Sequence, residues 1–300
     1  MQSKQERRCL VSVLLAGTLW GFMGVFRRYF GELGVDSAGI ILLRCGTAAA
    51  MFFVMLLIHD RSGLKIKLRD IWCFFGTGLC SMLFFTYCYF QAINLMSLSA
   101  AAILLYTAPF FVVLLSAILF KESFTLRKCI ALIIAFIGCC FVSGVGGDMQ
   151  ISVQGILFGL GSGIGYALYS IFAKLALEKG YTTNTINVYT HSFAALGSAF
   201  IWGIEEPLQI SLSSPPLMIA TLALGFLTCF LPYLLYTYSL TGLEAGKASI
   251  YANIEPVVAT IAGVLVFKES ISFQAVIGIT MVLVAVILLN RTEIIKKEAQ

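Results

Sequence analysis

Ten long apolar stretches, separated by short segments that carry most of the charge, run through this 300-residue sequence. Each stretch is close to the ~17–25 residues that an α-helix needs to cross about 30 Å of hydrocarbon. The composition agrees, because 59% of the residues are hydrophobic and only 12% are charged, against about 25% charged in soluble domains. The sequence therefore predicts an all-α membrane protein with ten transmembrane helices. The predicted spans are residues 10–30, 38–58, 71–93, 100–120, 126–142, 153–173, 185–204, 217–240, 248–267 and 273–289.

The basic residues between the spans predict an orientation. Of the 20 lysines and arginines, Arg44 lies inside a predicted span and only Arg27, Arg28 and Lys268 fall at one predicted face. All the others fall at the opposite face, and such an excess marks the cytoplasmic side. We therefore expect a multi-pass protein of the plasma membrane with both termini in the cytoplasm. The basic segments are short and form no broad surface, so nucleic acid is not an expected partner.

One charged tetrapeptide occurs twice. Phe-Lys-Glu-Ser begins at Phe120 and again at Phe267, 147 positions later, and the same offset pairs Pro109 with Pro256. These matches predict two copies of one five-helix unit. The predicted units are residues 9–143 and 153–290, flanked by short cytoplasmic tails at 1–8 and 291–300.

An odd number of crossings in each unit has a topological consequence. The second copy must enter the membrane upside down, which gives two inverted five-helix repeats around a central cavity near mid-bilayer. The tetrapeptide itself is expected to be structural: its lysine ends one helix, where a cation favours the negative end of the dipole. Its serine, Ser123 or Ser270, is expected to cap the next helix.

Three ionisable residues, Arg44, His191 and Glu255, lie well inside the spans, away from their ends. A charge in hydrocarbon costs roughly 2.5–3.5 kcal/mol on insertion scales, so each should face protein or a wet cavity. Arg44 is open to three interpretations: an internal salt bridge, recognition of a substrate carboxylate, or snorkelling. Glu255 is either hydrogen-bonded near Pro256, a proton carrier, or the counter-charge of an ammonium group. His191 is either a hydrogen-bonded structural residue or a contact for substrate or protons.

Polar aromatic and amide side chains deep in the spans add a second group of candidates. Tyr87 and Gln91 share one helix face, and prolines at three places free backbone carbonyls that need protein or a cavity nearby. We expect these residues to line an aromatic cavity suited to amino acids, aromatic metabolites or organic cations. The substrate-binding candidates are Trp20, Arg44, Tyr87, Gln91, Tyr106, Tyr166, His191, Tyr236 and Asn253. The proton-coupling candidates are Glu255 and His191, and the helix-break candidates are Pro109, Pro232 and Pro256.

Other site classes find little support in the sequence. The nine cysteines form no C-x-x-C pair, and the two histidines, His59 and His191, form no metal-spaced cluster, so neither a disulfide framework nor a metal site is expected. "GLEAGKAS" has the wrong spacing for a phosphate-binding loop. We expect no cofactor and no enzymatic activity.

The paired halves, the proline in each fourth helix, and the segments "LLAGTLWGFMGVF" and "NIEPVVATIAGVLVFKES" resemble the EamA-type branch of the drug/metabolite transporter superfamily. The resemblance covers nearly the whole chain, although its motifs are architectural and name no substrate. It implies ten helices, cytoplasmic termini, a cavity between the halves, and movement of small metabolites, often amino-acid export.

We therefore expect a secondary transporter that exports amino acids or related metabolites by alternating access. The expected partners are a small-molecule substrate and the lipid bilayer, with the protein acting as a monomer or weak homodimer. A flippase for lipid-linked intermediates and a membrane sensor without transport remain alternatives.

Overall fold

The computed structural model describes residues 4–145 and 151–298, and all regular structure within those ranges is helical, without a β-strand. The first half contains the helices α1 (Lys4–Gly21), α2 (Met23–Glu32), α3 (Ser37–His59), α4 (Ile71–Phe75), α5 (Phe84–Leu95), α6 (Leu98–Leu105), α7 (Ala108–Phe120) and α8 (Leu126–Val142). The second half contains α9 (Val153–Glu178), α10 (Thr183–Trp202), α11 (Glu205–Leu212), α12 (Pro215–Gly225), α13 (Leu231–Ser239), α14 (Ala245–Ala252), α15 (Glu255–Phe267) and α16 (Phe273–Glu298).

Eight segments are long and apolar enough to cross a membrane, which confirms the all-α membrane class. They are Lys4–Glu32, Ala38–His59, Leu68–Leu95, Leu98–Phe120, Val153–Glu178, Pro215–Ser239, Ala245–Phe267 and Phe273–Asn290. The two other predicted spans are also helices. One is α8, which has 17 residues and packs along α16; the other is α10, which is rich in Thr and Asn and packs along α3. The count of ten crossings stays a prediction.

The predicted tails are helical where the structure describes them. Helix α1 already begins at Lys4 and α16 continues to Glu298. Positions 1–3 and 299–300 of those tails lie outside the described residues.

The 147-residue offset recurs in the backbone. Helices α6 and α7 match α14 and α15 end for end, and each pair is interrupted just before the matched prolines, Pro109 and Pro256. A proline lacks an N–H and starts the next helix more easily than it continues the last one. Lys121 and Lys268 both end their helices in the left-handed conformation, with φ of 53° and 55°.

Two stretches of wide, π-type helix also correspond between the halves. They join α4 to α5 (Gly76–Leu83) and α12 to α13 (Phe226–Phe230). Pro232 follows the second stretch directly, at the start of α13. The helix widens there and continues, whereas at Pro109 and Pro256 it is interrupted.

Short polar side chains cap the helices that follow a loop. Asp36 Oδ1 accepts a hydrogen bond from the Gly39 N–H at 2.7 Å, and Ser97 Oγ accepts one from Ala100 at 3.3 Å. The caps of the helices after the two tetrapeptides are Thr125 and Ser272, two residues beyond the predicted Ser123 and Ser270. That prediction was wrong, because α8 and α16 each begin later than the tetrapeptide.

Glycines allow close and repeated contacts between the halves. Gly17 and Gly21 of α1 pack against α14 and α15 in ascending order, and Gly159 and Gly163 of α9 pack in the same way against α6 and the start of α7. The first span of each half therefore runs parallel to the fourth span of the other half. Small residues permit this backbone approach within a membrane.

Candidate functional site

A cavity of about 230 Å³ lies where the two halves meet. It is bordered by the junction of α1 and α2, by α3, α5, α9, α13 and α15, and by the break between α6 and α7. Among its lining side chains are Trp20, Arg27, Arg44, Tyr106, Tyr166 and Glu255. Five of these six are sequence-predicted candidates, and the fold brings them together from five different spans.

The cavity leans toward one end of the helix bundle. The span formed by α14 and α15 has Glu122 against its first residues and Glu269 just after its last, and we name the two ends of the bundle after these residues. A surface groove that contains Glu269 shares Gly21, Gly24 and Ala259 with the cavity. The cavity therefore extends from the middle of the bundle toward the Glu269 end.

One basic and one acidic side chain, Arg44 and Glu255, line this space. The Arg44 side chain is 8% exposed; its Nη1 lies 3.2 Å from Met23 Sδ, and its Nε is buried without a hydrogen-bond partner. Glu255 is half-buried at the first turn of α15, where the helix dipole favours a negative charge. Neither group is among the ion pairs closer than 4.0 Å in the described part of the chain. Both side chains are thus available to a bound molecule.

Aromatic rings form the walls. The ring centroid of Trp20 lies 5.2 Å from that of Tyr233 and 6.4 Å from that of Tyr166, both in edge-to-face geometry. Tyr166 in turn meets Phe85 edge-to-face at 5.6 Å. Such walls bind aromatic faces, and they also attract cations over their rings.

A buried hydrogen-bond network closes the cavity on the side toward the Glu122 end. The Tyr169 hydroxyl donates to Asn187 Oδ1 at 2.9 Å and lies 2.6 Å from Thr237 Oγ1. Ser170 Oγ and the Tyr236 hydroxyl are 2.7 Å apart. These groups satisfy one another, so this floor is a rigid part of the packing.

Two further candidates lie outside the cavity itself. Tyr236 is part of this packing, and Asn253 lies beside the cavity. Tyr236 is 2% exposed, and the network described above occupies its hydroxyl. Asn253 lies in a small recess beside Tyr106 and Glu255, and its Nδ2 is buried without a hydrogen-bond partner.

Three other candidates, His191, Tyr87 and Gln91, point away from the cavity. His191 is fully buried, with Nδ1 2.8 Å from Asn187 O and its ring between Phe52 and Tyr233. Tyr87 and Gln91 line a separate polar recess of about 280 Å³, on the other side of Arg27 and Phe90.

Four polar residues of the cavity lining were not among the predicted site residues: Arg27, Thr86, Tyr89 and Tyr233. Arg27 broke the predicted charge pattern, which was a usable signal, and Tyr89 pairs with Tyr236 at the 147-residue offset. No feature of the sequence around Thr86 indicates that this residue lines a cavity. In the described part of the chain, no three His, Cys, Asp or Glu residues are grouped so as to hold a metal ion.

Ion pairs between the two halves concentrate at the Glu122 end. Lys174 Nζ lies 2.6 Å from Glu122 Oε1, Lys128 Nζ lies 2.6 Å from Glu244 Oε2, and Lys179 Nζ lies 2.8 Å from Asp70 Oδ1. Burial acts to raise the pKa of Glu122, but the hydrogen bond and charge of Lys174 outweigh it, so the pKa lies below its usual range. Glu122 is therefore ionised at neutral pH.

Comparisons with known proteins identify a family and relatives that this chain resembles over nearly its whole length. A family model described as "EamA-like transporter family" matches residues 7–144 and again residues 153–291. An uncharacterized transporter of Archaeoglobus fulgidus is 28% identical over 94% of this chain and 98% of its own length. The uncharacterized transporter YwfM of Bacillus subtilis is 24% identical over 96% of this chain and 95% of its own.

A crystal structure shares the fold. It is 17% identical, superposes with a TM-score of 0.77, and covers 93% of this chain and 95% of its own.

Proposed function

Because the chain belongs to the EamA-like transporter family, we propose that it is a secondary transporter that exports amino acids or related small metabolites across the plasma membrane by alternating access. The observation that carries this proposal is the pair of opposite charges, Arg44 and Glu255, that face one aromatic cavity. An α-amino acid presents a carboxylate and an ammonium group. A guanidinium binds the first in a two-pronged manner, and a carboxylate with nearby rings binds the second.

The size of the cavity supports a small substrate. At about 230 Å³ it lies just below the range of roughly 300–1,000 Å³ typical of sites for drug-sized ligands. A lipid-linked intermediate would need more room and an opening toward the lipid. This favours a small metabolite over the lipid-linked substrate of the flippase alternative.

The packing of the halves supports the inverted repeat. If each connection turns the chain around, the first and fourth spans of one half run in opposite directions. The first span of each half runs parallel to the fourth span of the other half, so α14 and α15 run opposite to their equivalents, α6 and α7. Two inverted units that share one site can rock about it, which is the geometry of alternating access.

The charge distribution supports an orientation. The connections at the Glu122 end hold most of the basic residues, and the positive-inside rule assigns that end to the cytoplasm. The cavity leans to the other end, so the described conformation corresponds to the outward-facing side of the cycle.

Proton coupling is the second part of the proposal, and Glu255 is its carrier. It faces the cavity, whereas His191 is buried behind the wall with Nδ1 on a backbone carbonyl. A carboxyl beside a substrate site can exchange protons with either side in turn. Export by the Glu255→Gln variant with an unchanged pH dependence would contradict this role.

Two measurements test the proposed substrate class. A thermal-shift screen of the purified protein against the proteinogenic amino acids should find at least one that raises the apparent Tm, because a ligand that binds only the native state stabilises it. Proteoliposomes loaded with that amino acid should then take up the labelled compound by counterflow. No shift and no counterflow for any amino acid would exclude this class.

A further inference from the structure

Glu122 makes three contacts that join the two halves at the Glu122 end. Its side chain is 5% exposed and lies 2.6 Å from Lys174 Nζ through Oε1. The same carboxylate accepts hydrogen bonds from the N–H groups of Ala245 at 2.7 Å and Gly246 at 3.1 Å. It therefore caps α14, at the start of the span that crosses to the other end. The Lys174 ammonium also lies over the Phe120 ring, 5.1 Å from its centroid.

The Glu269 end carries an equivalent set of residues. Glu269 and Phe267 follow Glu122 and Phe120 by 147 positions, and Arg28 corresponds to Lys174 with a one-residue slip. Arg28 Nη1 lies 3.0 Å from Glu269 Oε1, and the guanidinium lies 4.2 Å from the centroid of the Phe267 ring. A cation, a carboxylate and an aromatic ring thus meet in the same way at both ends.

The two sets differ in one contact. The residues equivalent to Ala245 and Gly246 are Leu98 and Ser99, the first two residues of α6. In the described part of the chain their N–H groups have no hydrogen-bond partner, and the Glu269 side chain is 54% exposed. We call such a set of contacts, an ion pair over an aromatic ring together with a carboxylate cap on a helix, a latch. At the Glu122 end all these contacts are formed. At the Glu269 end the ion pair and the ring contact are formed, but the cap is not.

We propose that Glu122 and Glu269 are alternate latches of the transport cycle, each closing its own end of the bundle by capping the broken span of the opposite half. In the described conformation Glu122 caps α14 and closes the Glu122 end. In the opposite conformation Glu269 moves onto the N–H groups of Leu98 and Ser99 and closes the other end, while Glu122 releases α14. This inference rests on the alternating access proposed above.

The latches are of unequal strength. Lys128, 2% exposed, adds a second ion pair to Glu244 at the Glu122 end, and the 147-residue offset places Ala275 and Ser97 at the equivalent positions. Lys179 and Asp70 add a third pair at the same end. Partly buried pairs of this kind are screened less by salt than the exposed Arg28–Glu269 pair. The ligand-free protein should therefore rest with the Glu122 end closed.

Hydrogen–deuterium exchange of the full chain in nanodiscs tests the latches without any substrate. The variants are Glu122→Gln and Glu269→Gln, with Glu178→Gln as the matched control, since Glu178 is an exposed carboxylate at the Glu122 end. The peptides to follow cover residues 243–250 and 95–101. Loss of a charge-assisted cap should speed exchange at Ala245 and Gly246 by about tenfold or more in Glu122→Gln.

The decisive measurement is the exchange rate of peptide 95–101, which lies at the opposite end of the molecule from Glu122. We expect exchange in peptide 95–101 to slow in Glu122→Gln, because the population shifts toward the Glu269-closed state. Glu269→Gln should leave peptide 243–250 protected or slow its exchange, and Glu178→Gln should match wild type. A change confined to peptide 243–250 would show that Glu122 is only a helix cap and would overturn the proposal.

A second variant covers the case in which Glu122→Gln does not fold. Lys174→Gln removes the main counter-charge of Glu122 and should give the same reciprocal pattern to a smaller extent; unchanged exchange at 95–101 would overturn the proposal. The result is separate from the substrate question. A reciprocal pattern without amino-acid flux would remove the substrate class and support the latches, whereas flux without the pattern would remove the latches alone.

Discussion

Arg44 and His191 occupy equivalent positions in the two halves, yet only Arg44 reaches the cavity. The sequence marks both, because an ionisable residue within a span is costly and therefore informative. It does not say which way each side chain points. His191 is held by Asn187 O, one turn earlier in α10, and by the rings of Phe52 and Tyr233. Only the two ring contacts join residues far apart in the chain, and they are the ones that the sequence does not show.

The role of Arg44 can be separated from a structural one by the Arg44→Met variant. A buried guanidinium with an unpaired Nε, which forms none of the ion pairs within 4.0 Å in the described part of the chain, costs solvation energy that the carboxylate of the proposed substrate would offset. Replacement by a side chain of similar length should leave the apparent Tm of the ligand-free protein unchanged or higher. Affinity for the stabilising amino acid should fall about 10–100-fold, which corresponds to losing a charged hydrogen bond of roughly 1.5–3 kcal/mol.

The matched control is Tyr87→Phe, which removes one hydroxyl from the neighbouring recess and not from the cavity. Its affinity should equal that of wild type. A large drop in the ligand-free Tm of Arg44→Met would instead identify Arg44 as a structural residue, and equal losses in both variants would move the binding site into the recess.

At the scale of helices, the sequence predicted the apolar spans and the helix breaks at two of the three prolines, whereas at Pro232 the helix widens and continues. The breaks before Pro109 and Pro256 follow from local chemistry, since proline cannot donate the hydrogen bond that continues a helix. The π-type stretches were not predicted, because Gly76–Leu83 and Phe226–Phe230 carry the same apolar periodicity as an ordinary helix. Such widened turns depend on tertiary packing.

Close glycine contacts between α8 and α16 make an element-scale prediction. A Cβ on Gly278 would lie 2.8 Å from the backbone nitrogen of Val142, and one on Gly138 would lie 2.8 Å from the carbonyl oxygen of Gly278. Since backbone atoms cannot move aside alone, Gly278→Ala should force the helices apart and lower the apparent Tm by several degrees.

Gly46→Ala is the control for this effect, because a Cβ on Gly46 of α3 meets nothing within 4 Å. Alanine is about 0.5–1 kcal/mol better than glycine within a helix, so this variant should keep or raise the Tm. Fluorescence-detected thermal unfolding in one detergent compares the pair. Equal effects would mean that helix propensity, and not packing between α8 and α16, decides both.

At the scale of the whole molecule, the sequence indicated two related halves because identical residues recur at a fixed offset of 147 positions. It could not show how their surfaces meet, since no local signal reports that Gly17 packs against Ile254 or Gly163 against Thr107. The family match covers each half separately, over residues 7–144 and 153–291. The orientation of one half relative to the other in the membrane is open to direct measurement.

Ser123 and Ser270 provide that measurement, because both are exposed and they follow equivalent helices. In inverted halves they lie on opposite sides of the membrane. In a background with the exposed Cys80 replaced by Ser, a membrane-impermeant maleimide should label the Ser270→Cys variant from outside intact cells. It should label the Ser123→Cys variant only after permeabilisation, and the background should remain unlabelled in both conditions. Labelling of both variants from one side would require parallel halves, and the shared site and the alternating latches would then both fail.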